Sequence, residues 1–208
     1  MARVKKPVIS ARKQPRQARS SRLVADILEA SARVLVRYGA HRFTTARVAE
    51  AAGISVGSLY QYFPNKEAIL FRLQAEEWEQ TMGELHRILG NARVPPPERL
   101  RDAVRMFFRS ECDEAAFRSA LEEAAPLYRE APESRAHAEE GRRLMLTFMK
   151  DVLPGATVRE RAFAADLVEL VFSSVGKAIS SQNRSRNDVD EIAVAVSEML
   201  CCYLKTTR

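Results

Sequence analysis

Apolar residues recur at helical spacing along almost the whole chain, and no stretch keeps the strict alternation of a half-buried strand. Leu23, Ile27, Val34 and Tyr38 form one stripe, widened by Leu28 and Leu35. They predict a first helix from near Ser20 to Tyr38, stopped by Gly39. Phe43 follows as an isolated plug. A long helix from Lys66 to about Leu89, capped by Asn65, buries Ile69, Leu70, Leu73, Trp78, Met82, Leu85 and Leu89. Gly90 and Pro95-Pro96-Pro97 end it and make a stiff connector. Three further helices are expected over Glu98–Cys112, Glu114–Ala125 and Pro132–Leu153, and Pro154-Gly155 is a turn. The last two helices, Thr157 to about Ser181 and a final one capped by Asn187 or Asp188, are apolar over more than one face. Such helices need cover on two sides, either within the chain or across a two-fold axis in a dimer. The fold class is therefore all-α.

Between the first and fourth helices lies the most informative stretch, Thr44 to Leu70. Thr44 is suited to cap a short helix carrying Val48, Ala49 and Ala52. Gly53 supplies the left-handed residue that ends it, and Ile54 plugs the turn. Ser55 then caps a second short helix with Val56, Leu59, Tyr60 and Phe63, which Pro64 ends. Two short helices joined by a tight glycine turn form either a plain helical corner or a helix-turn-helix that places its second helix in the DNA major groove. The outer face of the second helix favours the latter. Ser55, Val56, Gly57, Ser58, Tyr60, Gln61 and Tyr62 include no acidic residue to repel phosphate, where a solvated corner would show Lys and Glu.

The run T-T-x-x-V-A-x-x-A-G-I-S-x-G-S-L-Y-x-Y-F-x-N-K-E-x-I-L resembles the DNA-binding signature of the tetracycline-repressor (TetR) family of transcriptional regulators. The likeness is dense from about Arg22 to Leu70. It implies an N-terminal three-helix DNA-binding domain, a divergent helical domain for ligand binding and dimerisation, and a homodimer paired through the last two helices. The domain plan that follows is a disordered basic arm over 1–20, a DNA-binding domain over 21–70 and an effector-binding and dimerisation domain over 71–208. Carried over position by position, Thr45, Ser55, Gly57, Tyr60, Gln61, Tyr62 and Lys66 match positions that touch DNA. Val56 departs from the usual Lys or Arg, so a phosphate contact is missing there or replaced by an apolar contact to a thymine methyl. The dimer face expected from the last two helices comprises Phe163, Leu167, Leu170, Val171, Phe172, Val175, Ile192, Val196 and Leu200. Candidate effector-pocket residues are Trp78, Met82, Phe107, Phe108, Phe117, Leu121, Met145 and Phe148.

Charge sharpens this picture. The 208-residue chain has a formal net charge of +6. Arg3, Lys5, Lys6, Arg12, Lys13, Arg16, Arg19 and Arg22 precede the first acid, Asp26, so the basic balance belongs to the arm and the body is mildly acidic. A basic block beside a helix-turn-helix suits phosphate binding. A solubilising tail is the alternative. Between Glu111 and Glu140 acids outnumber arginines, which favours a cationic or neutral lipophilic effector over an anion.

Other classes find less support. His41, His86 and His137 are isolated, and no HExxH, GxSxG, GxGxxG or phosphate-binding loop occurs, so no catalytic residue, metal or cofactor is expected. Cys112, Cys201 and Cys202 show no metal spacing and read as reduced packing residues, with a redox sensor as the alternative. An architectural DNA binder would be basic throughout. No apolar run approaches the ~20 residues of a membrane span. The basic N-terminus has no apolar signal core and its prolines argue against a mitochondrial presequence, so a cytoplasmic protein is expected.

Overall fold

A computed structural model describes Ile9 and residues 18–129 and 132–207. The described residues contain α1 (Ala18–Tyr38), α2 (Thr45–Ala51), α3 (Val56–Tyr62), α4 (Lys66–Leu89), α5 (Pro96–Asp113), α6 (Ala115–Ala124), α7 (Pro132–Val152), α8 (Val158–Ser180) and α9 (Arg186–Thr206), with no strand among them. The expected helices are all present. The final one starts differently: Ser185, not Asn187 or Asp188, is its cap. The Asp188 N–H donates to Ser185 Oγ at 3.2 Å and the Ser185 N–H donates to Asp188 Oδ2 at 3.2 Å, a reciprocal capping box. The basic residues of the expected arm before Arg19 lie outside the described residues. Ile9 alone is described there, and it is buried in a hydrophobic core.

The chain forms two compact units. One comprises the chain up to Trp78 together with Ala116–Ala136, and the other comprises Glu79–Ala115 and His137–Arg208. Compactness thus groups the chain differently from a boundary at residue 70. The first part of α4 and all of α6 but Ala115 join the helix-turn-helix, because the apolar faces they present are buried there. Ile27, Leu35, Phe43, Val48, Leu59, Phe63, Ile69, Leu70 and Leu121 share that core. Tyr128, just beyond α6, stacks its edge on Phe71 with ring centroids 5.9 Å apart. Its hydroxyl reaches Leu121 O at 3.2 Å and Gln74 Oε1 at 3.3 Å. Burial pushes the Tyr128 phenol well above its ordinary range. Beside it an ion pair joins α4 to α6: Arg118 Nη2 lies 2.8 Å from Glu77 Oε1, with both side chains largely excluded from water. Gln74 Nε2 donates to the second Glu77 oxygen at 3.0 Å.

In the second unit α5 packs on both α8 and α9. Leu100, Ala103, Val104 and Phe108 of α5 meet Met145, Phe148 and Met149 of α7, Val168 and Phe172 of α8, and Leu200 and Leu204 of α9. The fit of α5 against α8 is tight at Gly176. A Cβ at Gly176 would lie 3.0 Å from the Phe107 ring and 3.1 Å from Glu111 Cγ. Arg99, buried in this unit, donates to Leu89 O and pairs with Asp151 at 3.0 Å. Burial also raises the thiols of Cys112 and Cys201, which leaves neither as a reactive thiolate.

The Glu77–Arg118 pair gives a direct stability test. Glu77→Ala takes from the largely buried Arg118 the carboxylate it pairs with and is expected to destabilise the fold by about 3 kcal/mol. Glu77→Leu combined with Arg118→Met removes both charges and should restore most of that loss in urea unfolding.

Candidate nucleic-acid interface

The helix-turn-helix is assembled by local hydrogen bonds that the sequence pattern foreshadows. Thr44 caps α2, its Oγ1 accepting from the Arg47 N–H at 3.3 Å. At the other end Gly53 has φ 66, in the left-handed region. Its N–H donates to Glu50 O at 3.1 Å, and the Ile54 N–H donates to Ala49 O at 3.0 Å. These two bonds are a Schellman closure, which satisfies the last carbonyls of α2 and redirects the chain at once. Ser55 then caps α3, its Oγ accepting from the Ser58 N–H at 3.0 Å and lying 2.8 Å from Ser58 Oγ. Asn65 Oδ1 accepts from the Ala68 N–H at 2.8 Å and so caps α4.

Helical periodicity sorts the residues of α3 into two sets. Leu59, Tyr62 and Phe63 face the core. Ser55, Val56, Gly57, Tyr60 and Gln61 are exposed, and Ser58 is half-buried. Tyr62 is therefore a correction: expected on the outer face, it is only 8% exposed and packs with Leu59. Its place two residues after Tyr60 turns it inward. Tyr60 is held at the surface by a 3.2 Å hydrogen bond between its hydroxyl and Thr45 Oγ1, which ties the start of α2 to the exposed face of α3. Lys66, half-buried, opens α4.

Three residues near this face went unnoticed in the sequence. Arg37, Arg42 and Arg47 place their guanidinium carbons 5.2, 6.0 and 4.8 Å from the centre of the Tyr38 ring. Arginines are common in this chain, and spacing alone gave no reason to group these three. Only the turn at Gly39 and the short 3-10 segment Ala40–Arg42 bring them together.

The candidate effector residues divide between the cores of the two units. Trp78, Phe117 and Leu121 join the core of the first unit, whereas Met82, Phe107, Phe108, Met145 and Phe148 join that of the second. None lines the cavity of about 90 Å³ among Pro96, Leu100, Asp151, Cys201 and Leu204. The expected dimer residues divide as well. Phe172 and Leu200 are core residues of the second unit, turned inward against α5. Leu167, Val171, Val175, Ile192 and Val196 are half-buried. Phe163 and Leu170 are 64% and 60% exposed, and Met199, which the sequence reading passed over, is 56% exposed.

A capped, Schellman-joined helix pair that presents polar and aromatic side chains on its second helix defines a helix-turn-helix protein. Two family models agree with that geometry: "Bacterial regulatory proteins, tetR family" matches residues 27–73, and "Tetracyclin repressor-like, C-terminal domain" matches residues 95–207. The chain belongs to the TetR family of DNA-binding, ligand-responsive transcriptional regulators. A curated relative, the fatty acid metabolism regulator protein of Bacillus subtilis (strain 168), is 37% identical over 54 residues, a match spanning 26% of this chain and 28% of that protein. Among solved structures, the fatty acid degradation regulator FadR from Bacillus halodurans superposes with a TM-score of 0.69 at 18% identity, covering 90% of this chain and 97% of the other. A TetR-like transcriptional regulator from Rhodococcus sp. RHA1 gives 0.63 at 18% identity, covering 89% and 96%. At such identities the likeness is one of fold. Among the described residues no helix is long and apolar enough to cross a membrane.

The Schellman turn predicts the cost of disturbing it. A Cβ at Gly53 meets nothing within 4 Å, so the only penalty for Gly53→Ala is conformational. That penalty is about 1 kcal/mol for a left-handed non-glycine residue, read as a lowered urea midpoint with an unchanged slope.

Proposed function

We propose that this protein is a homodimeric repressor that reads a palindromic operator with the exposed face of α3 and leaves it when a lipophilic small molecule binds. The observation that carries the reading is that face itself. Tyr60 and Gln61 project from a helix whose inner residues, Leu59 and Phe63, are fully locked in the core. Gln61 offers the donor–acceptor pair that matches adenine in the major groove. Thr45, bonded to the Tyr60 hydroxyl, and Lys66 at the start of α4 serve the phosphates on either side. Ser55, Gly57 and Ser58 are short enough to let the backbone approach DNA, and exposed Val56 supplies an apolar contact to a thymine methyl.

Dimerisation follows from the apolar surface of α8 and α9. Phe163, Leu167 and Leu170 lie one helical turn apart, as do Ile192, Val196 and Met199, and they are exposed or half-exposed. A stripe of that kind is unusual on a monomer and suits a self-complementary two-fold contact. The effector is a neutral or cationic lipophilic molecule held within the second unit, near half-buried Met82 and Phe107. Phe107 stacks on Phe172 with centroids 5.3 Å apart. Repression is lifted only if the ligand binds the DNA-free state more tightly than the DNA-bound one.

In operator-binding titrations Gln61→Ala is expected to cost about 1–3 kcal/mol and to relax preference at one base position, whereas Lys66→Ala should weaken cognate and random duplexes alike. Equal losses on both duplexes for Gln61→Ala would remove it from base reading. Leu170→Glu and Met199→Glu place a charge in the proposed dimer face without touching the core. Sedimentation should show monomers for both, and an unchanged dimer would put the interface elsewhere. Effector panels for release of the operator should include quaternary amines, neutral hydrophobic compounds and fatty acyl compounds. The last are included because two of the similar proteins are named as regulators of fatty acid metabolism and degradation.

A further inference from the structure

We infer that Arg37, Arg42 and Arg47, gathered round Tyr38, form a clamp for the sugar–phosphate backbone of duplex DNA beside the exposed face of α3. The inference rests on the DNA-binding reading above and assigns residues that it does not include. The cluster is built rather than incidental. Gly39, with φ 70, ends α1 by donating its N–H to Leu35 O at 2.8 Å. The chain then passes through Ala40–Arg42 to Phe43, which is fully buried and pins the turn. Arg42 Nε donates to Tyr38 O at 3.4 Å, and Arg47 Nη1 donates to Arg42 O. Each guanidinium has five N–H donors in a fixed fork, so for Arg42 and Arg47 one bond to the backbone aims the group and leaves most of the fork for an oxyanion, while Arg37 is placed by the Tyr38 ring alone.

Carboxylates neutralise many arginines of the chain; these three share with Arg161 and Arg184, which bond to neutral oxygens, the lack of a carboxylate partner among the described residues, and differ from them in gathering round a single ring. Arg33, Arg87, Arg99, Arg101, Arg109, Arg118, Arg142 and Arg186 each meet a carboxylate. No carboxylate pairs with Arg37, Arg42 or Arg47 among the described residues. Glu123, the acid that approaches this turn from α6, is engaged elsewhere, 3.4 Å from the Ala40 N–H and 3.3 Å from His41 Nε2. The three guanidinium carbons lie 5.2, 6.0 and 4.8 Å from one ring centre, so no two of them are more than about 11 Å apart, comparable to the Debye length of about 8 Å at physiological salt, and they repel one another. The Tyr38 ring offsets part of that repulsion by cation–π attraction, and a bound polyanion relieves it further. Position completes the case. Arg47 lies on α2 in the turn that also bears Thr45, and Thr45 is bonded to Tyr60 on the exposed face of α3. The Arg47 charge therefore lies close to the proposed reading head, and the clamp assigns a DNA backbone strand to that flank.

A salt titration of binding to a random-sequence duplex tests this without knowledge of the operator. Between roughly 50 and 200 mM salt, each phosphate contact contributes about 0.9 to the slope of log affinity against log salt. The triple variant R37Q/R42Q/R47Q should lose between about one and three such increments, and the corresponding triple Lys variant should keep most of the slope. Arg37→Gln alone, whose guanidinium makes no hydrogen bond or ion pair among the described residues, should lose up to one increment with an unchanged melting temperature. That single variant keeps the test valid if the triple variant unfolds. A folded Gln variant with wild-type slope and affinity would overturn the clamp and leave the DNA-binding reading intact. A wild-type protein that binds no duplex even at low salt would overturn both.

Discussion

A helix of seven residues has almost no stability of its own, because nucleation costs more than two turns return, and α2 and α3 are both that short. They exist because Phe43, Val48, Leu59 and Phe63 are driven into one core with α1 and α4, where all four are fully or almost fully buried. Burying side chains of this size is worth roughly 1.5–3 kcal/mol each. Everything on the exposed side of α3 inherits its position from that anchorage. The caps at Thr44 and Ser55 and the left-handed Gly53 fix where the helices begin and end, but only burial fixes their angle to the rest.

The same core draws in a part of the chain remote in sequence. Leu121, Ala124 and Tyr128 close the side of the first unit that α1 to α4 leave open, and the Arg118–Glu77 pair ties the junction. A buried pair of this sort adds little net stability, since desolvation consumes most of its Coulomb attraction. It does fix register: any other packing of α6 on α4 would leave a charge stranded.

Much of this was legible in the residues because the signals were local. Asn65, Gly53, Thr44 and Ser55 announce caps and turns by chemistry that acts within a few residues. The long helices announce themselves by repetition. What stayed hidden depends on partners distant in sequence. An apolar stripe says which side of a helix is buried but not against what, so α6 could not be assigned to the first unit, nor Trp78 and Phe107 to different cores. Phe172 and Leu200 looked like surface for a second subunit because helices apolar on two sides do not reveal which side faces inward. Ser185 was passed over as a cap because Asn187 and Asp188 are as good by residue type. The arginine cluster was invisible for a related reason: it is a product of a turn, not of a period.

Discontinuity of the first unit has a consequence for how such a protein can be inherited. Regulators diversify when one reading head is joined to different sensors, and that exchange is simple when the head is a single run of sequence. Here a crossover just after Trp78 would separate the head from Leu121 and Tyr128 and expose the apolar surface they cover. A viable hybrid must carry the α6 segment along or bring a replacement that fits Phe71 and Glu77. The recombination unit of this protein is thus larger than its helix-turn-helix, and the α6 segment cannot drift freely where it closes the core of the first unit.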